Sequence, residues 1–107
     1  MKIYIKPLSV NQVWQGKRFK TPKYKTYEKA LTLMLPKLKI DFKRDLSVHL
    51  TFGFSSTLSD IDNPLKPILD VLQKKYGFDD RQIFELNVKK EIVKKGEEFI
   101  ELTISEI

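Results

Sequence analysis

The sequence predicts an α+β domain in which the helices pack on one mixed sheet. Three observations lead there. Leu46, Val48, Leu50, Phe52 and Phe54 alternate along nine residues, the signature of a strand with one buried face. Two segments, 21–35 and 64–76, carry apolar residues at three- and four-residue spacing instead. Taken along the chain, the periodicity reads β-α-β-α-β-β, with no linker or internal repeat, so residues 1–107 form one domain.

Each element has a local reason. Lys2 to Lys6 alternates as a short strand with Ile3 and Ile5 on one face, and Pro7 turns the chain out of it. Residues 11–20 read as a polar, basic loop around Trp14 and Gly16. The first helix starts with Thr21 as N-cap and Pro22 in the first helical position, places Tyr24, Tyr27, Leu31 and Met34 on its buried stripe, and ends before Pro36. Residues 46–54 form the long strand, with His49 on the opposite face. Asn63 and Pro64 start the second helix, whose stripe is Leu65, Ile68, Leu69 and Leu72 and whose C-cap is Gly77. Pro67, one turn in, would lose a backbone hydrogen bond and reads as a tolerated distortion of the first turn. Phe84, Leu86 and Val88 alternate in a third strand. Lys94-Lys95-Gly96-Glu97 turns the chain into a fourth, built on Ile100, Leu102 and Ile104.

Composition excludes several classes of chemistry. There is no cysteine, hence no disulfide, thiolate zinc site or cysteine nucleophile. The lone His49 cannot build a histidine zinc site. No apolar run reaches the ~18 residues of a membrane span, and Met1-Lys2-Ile3-Tyr4-Ile5-Lys6 lacks the apolar stretch of a signal peptide, so a cytoplasmic protein is expected. The net charge is +6, unevenly spread. Residues 1–44 hold 12 Lys/Arg against 2 Asp/Glu, and residues 45–107 hold 8 against 12. The basic half fits either a polyanion-binding surface or an ordinary lysine-rich surface.

Acids gather at the element junctions. Asp60 and Asp62 follow the long strand, where side chains two apart point the same way if the chain stays extended. Asp79-Asp80 arrives after the second helix, and a short connection can fold it back beside Asp62. Three clustered carboxylates repel unless a cation joins them. Oxygen ligands suit Mg²⁺, with Mn²⁺ as a substitute, and a hard cation against a basic protein points to phosphate chemistry. The helix from Pro64 offers its N-terminal amides nearby, with Lys66 in the first turn.

Asp60-x-Asp62-Asn63-x-x-Lys66-x-x-x-Asp70, followed by Gly77-Phe78-Asp79-Asp80-x-Gln82-Ile83, resembles the core signature of the RusA family of Holliday-junction resolvases. Pro7-x-Ser9-x-Asn11 is similar to that family's N-terminal motif, and the closing strand pair around Lys95-Gly96 is similar as well. The resemblance implies a small homodimeric, magnesium-dependent endonuclease that resolves four-way (branched) DNA junctions by paired nicks. It assigns the metal carboxylates to Asp60, Asp62 and Asp80, and to Lys66 the role of a lysine needed for cleavage. It implies 5′-phosphate and 3′-hydroxyl ends. Asn11, Lys17, Arg18, Lys20, Lys23, Lys25 and Asn63 then become candidates for DNA contact. Two identical active sites related by a two-fold axis match a nearly two-fold-symmetric junction.

Plainer roles compete at each position. Asp60, Asp62 and Asn63 fit helix capping, and Asp79-Asp80 fits a turn. Asp70 pairs with Lys66 one helical turn away. Asn11 fits a brace for the loop after the first strand. Trp14 and Phe19 fit stacking on unpaired bases or burial in the fold or a dimer interface. A non-catalytic DNA-binding module that keeps the fold is the competing function. Against it stand the acids, since a DNA binder gains nothing from negative charge facing phosphates. A nuclease for other branched DNA or for RNA is a third.

Overall fold

The computed structural model describes residues 1–16 and 19–107. Among these, the elements are β1 (Lys2–Ile3), β2 (Trp14–Gln15), β3 (Phe19–Lys20), α1 (Pro22–Met34), β4 (Leu46–Phe54), α2 (Leu65–Tyr76), β5 (Ile83–Ile92) and β6 (Phe99–Glu106), with short 3₁₀ turns at Val10–Gln12 and Asp80–Gln82. The main sheet runs β1-β6-β4-β5. It is mixed: β4 pairs parallel with β5 and antiparallel with β6. The α+β class and the helices-on-sheet packing stand as the sequence predicts.

The core lies between the helices and one sheet face. Val48, Leu50 and Phe52 from β4 and Ile100 and Leu102 from β6 are fully buried there, against Leu31 of α1 and Ile68, Val71 and Leu72 of α2. The other face is polar, and His49 stands exposed on it. Gly53 is the exception on that side. The Phe99 ring lies across it so closely that a Cβ would collide with the ring.

α1 begins as its sequence dictates: Thr21 Oγ1 accepts from the Tyr24 amide at 3.1 Å, and Pro22 opens the helix. α2 ends at Gly77, whose φ of +72° is the left-handed cap glycine adopts without strain. A salt bridge at 2.9 Å between Lys74 and Glu28, with Tyr76 Oη donating to the Pro36 carbonyl at 2.6 Å, ties α2 to α1 and its exit.

Several expectations need correction. β1 stops at Ile3 instead of reaching Lys6. Residues 11–20 are not wholly loop: Trp14–Gln15 and Phe19–Lys20 pair as a hairpin. Met34 is half exposed, and Leu35, just past the helix, takes its place in the core. The cap of α2 is Pro64, not Asn63. Pro67 is tolerated in the first turn as read, but it loses no hydrogen bond there, because those amides have no intrahelical partner. β5 alternates as expected, yet Phe84 and Leu86 are exposed because β5 is the sheet's edge.

Candidate active site

The acids of the signature surround both ends of α2. β4 ends at Phe54, so Asp60 and Asp62 do not continue an extended strand. They sit in the irregular segment leading to the helix. Asp60 is exposed and accepts from Asn63 Nδ2 at 3.3 Å. Asp62 is exposed, and its carbonyl accepts the Leu65 amide at 3.1 Å. Asn63 therefore serves Asp60 rather than capping the helix.

The N-terminal motif packs against this loop. The Val10 amide donates to the Asn63 carbonyl at 2.8 Å, joining the 3₁₀ turn to the start of α2. Ser9 caps that turn by accepting from the Asn11 amide, and Asn11 itself is exposed. Between the two segments lies a cavity of about 270 Å³, lined in part by Lys6, Ser9, Gln12, Asp60 and Asn63. Two stretches separated by some fifty residues of sequence thus share one wall.

Lys66 extends from the first turn of α2 toward the far end of the helix. Its Nζ lies 3.2 Å from Asp70 Oδ1 and 3.9 Å from Asp80 Oδ2. Asp80 is brought there by contacts that spacing alone did not single out. Gln73 Oε1 accepts the Asp80 amide at 2.9 Å, while Gln73 Nε2 donates to the Leu69 carbonyl. Lys66, Asp70 and Gln73 follow i, i+4, i+7 spacing, so they share one helix face. That periodicity was the available signal for Gln73.

Gln82 anchors the rest of the Asp79-Asp80 turn. Its Nε2 donates to the Phe42 and Arg44 carbonyls at 2.7 and 2.9 Å, and its Oε1 accepts the Asp79 amide. Asp79 is held by the turn itself: the Arg81 amide, then the Arg81 guanidinium, donate to its carboxylate and hold it below the usual carboxylate range. Phe78 is buried and stacked on Phe42, which fixes where the turn begins. Asp80 and Asp79 therefore have different partners, Lys66 of α2 for the first and the capping box for the second.

The basic candidates divide. Lys20 is partly buried, 4.4 Å above the Tyr24 ring and 5.6 Å from Trp14, and burial followed by the neighbouring Lys74 lowers its pKa. Lys23 and Lys25 are exposed on the first turn of α1. Lys17 and Arg18 lie outside the described residues. Trp14 and Phe19 are not buried in the fold; at 51% and 72% exposed, the hairpin presents both aromatic rings to solvent.

A profile of a family described as endodeoxyribonuclease RusA matches residues 7–105. The chain belongs to that family. No curated relative matches it. RusA membership makes it a nuclease of the class that acts on Holliday junctions, so branched DNA is its substrate class. No helix is long and apolar enough to cross a membrane among the described residues.

RusA enzymes use divalent metal. The donor chemistry here suits it: Asp60, Asp62 and Asp80 offer only carboxylate oxygens, all exposed, with neither cysteine nor histidine beside them. Their grouping is looser than the sequence led us to expect. Among the described residues no set of three acidic or histidine side chains stands close enough to enclose an ion. What the fold joins is Asp70 and Asp80 across the Lys66 ammonium. That contact to Asp80 is long and exposed, worth at most about 1 kcal/mol, so it does not lock the carboxylate away from a cation.

Proposed function

We propose that this RusA-family chain is a magnesium-dependent endonuclease that resolves four-way DNA junctions by paired nicks, acting as a homodimer. The observation that carries the reading is the convergence of Lys66 and Asp80 from separate elements at α2, with Asp60 and Asp62 at the same helix's start. All four are exposed, as residues that meet a phosphodiester must be.

In this reading Asp60, Asp62 and Asp80 would hold Mg²⁺, for which Mn²⁺ could substitute. When bound, such an ion supplies an activated water and charge neutralisation at phosphorus. Lys66 neutralises charge developing on the phosphoryl oxygens. Asp70 holds the lysine's ammonium in place through the 3.2 Å contact, and Gln73 holds the Asp80 backbone. Asn63 orients Asp60 through its amide. Hydrolysis leaves 5′-phosphate and 3′-hydroxyl ends and requires no covalent nucleophile. Lys17, Arg18, Lys20, Lys23 and Lys25 contact phosphates, and Asn11 contacts DNA beside the cavity. These contacts position the backbone and read no sequence.

The test is Asp62→Asn, assayed for junction nicking and, in parallel, for junction binding by gel shift. Nicking should disappear while binding stays equal or tightens, since one negative charge facing DNA is removed. Undiminished nicking would discard the assignment of Asp62.

A further inference from the structure

β5 presents ten residues at the edge of the main sheet, and among the described residues nothing pairs with its outer side. Unpaired edges of this length invite another strand. Although Glu85, Lys89, Lys90 and Glu91 charge the strand, its first half also carries Phe84, Leu86 and Val88. Leu86 and Val88 sit beside the buried Val48 and Leu50, on the helix-covered face, yet Leu86 is 44% exposed. Phe84, at the irregularity where β5 slips against β4, is 67% exposed.

We propose that β5 pairs antiparallel with β5 of a second copy of this chain, the two-fold axis passing through Asn87. The proposal deepens the dimeric reading above and rests on it. It commits to a register because the strand's own side chains select one. With Asn87 opposite the partner's Asn87, Leu86 faces the partner's Val88 and Val88 faces the partner's Leu86. On the other face Glu85 meets the partner's Lys89, twice by symmetry. Apolar cross-strand pairs and opposite charges are the pairings that stabilise a sheet.

Neighbouring registers that keep both sets of helices on one face are worse. An axis at Val88 sets Glu85 against the partner's Glu91. At Lys89, the two lysines face each other. At Leu86, Glu85 meets only an amide. The Asn87 register gives one continuous eight-stranded sheet. It also fixes the geometry of the two active sites, since Asp80 lies in the turn running directly into Ile83. The two Ile83 positions fall eight residues apart along the strand pair, about 26 Å at ~3.3 Å per residue.

The chain's lack of cysteine makes the register measurable. Opposed residues in antiparallel strands have Cα atoms ~4.5–5.5 Å apart, within disulfide range. Asn87→Cys should therefore give an intermolecular disulfide under mild oxidation. Glu85→Cys and Lys89→Cys should not, because each lies about four residues from its own symmetry mate. Scattering mass on charge reversals supplies the second arm. Glu85→Lys or Lys89→Glu alone should weaken the dimer roughly tenfold, and the double variant should restore it. A dimer that Asn87→Cys fails to link, or one linked through position 89, overturns the register; indifference to both reversals overturns the interface. Junction nicking by a dimer held elsewhere would remove this proposal and leave the nuclease reading. A β5-linked dimer that cuts nothing would do the reverse.

Discussion

Lys66 is the residue on which sequence and structure bear most directly. Its ammonium sits between two carboxylates contributed by different elements, Asp70 from its own helix and Asp80 from the following turn. A salt bridge so exposed adds little stability, so the arrangement makes more sense as positioning than as a fold determinant. Lys66→Ala should slow single-turnover nicking roughly ten- to a thousandfold, in line with other removed electrostatic donors, without changing the unfolding midpoint. A normal rate would reduce Lys66 to a salt-bridge partner of Asp70. The same argument separates Asp80 from Asp79. They adjoin in sequence, yet Asp79 is spent on Arg81 and the turn's own amides, while Asp80 is aimed at Lys66.

At the scale of the element, β4 was legible because its alternation records burial directly: Val48, Leu50 and Phe52 are in the core as read. The packing of its last residues was not legible. Gly53 looks like an ordinary small residue, and only the fold shows Phe99 lying over it. Gly53→Ala should therefore destabilise by about 1–3 kcal/mol through overpacking, read as a lower midpoint in denaturant melts. An unchanged midpoint would mean that the buried Phe99 ring moves freely. The helix limits were legible within a residue or two because Thr21, Pro22 and Gly77 act locally. The β2–β3 hairpin was not, since Trp14, Gln15 and Phe19 are exposed and no burial pattern marks them. β5 shows a third limit: period two identifies a strand but not what covers it. At the site, spacing singled out Asp60, Asp62 and the Asp79-Asp80 pair, and only the resemblance to the RusA signature chose Asp80 from that pair and gave Lys66 a role. The irregular segment that carries Asp60 and Asp62, and the Gln73 contact that places Asp80, depend on the path of the chain and left little trace in spacing.

Over the whole molecule, charge and site occupy different parts of the chain. The basic first 44 residues supply the Lys20, Lys23 and Lys25 region, and the acidic remainder supplies the carboxylates. If the lysine-rich region is where phosphates dock, junction affinity should fall steeply with salt. With about six phosphates neutralised per complex, the log–log slope is near −5. A flat response would dismiss the lysine-rich region as the docking face. The β5 pairing would then carry two such surfaces on one rigid sheet, matching the symmetry of a four-way junction. The most direct measurement of the central claim is strand-resolved cleavage of a synthetic four-way junction, with Mg²⁺ present and then withheld. The account predicts nicks in two strands of like polarity that appear only with the ion and are lost in Asp62→Asn. Cleavage that is indifferent to Mg²⁺, or tight junction binding with no cleavage at all, would contradict it.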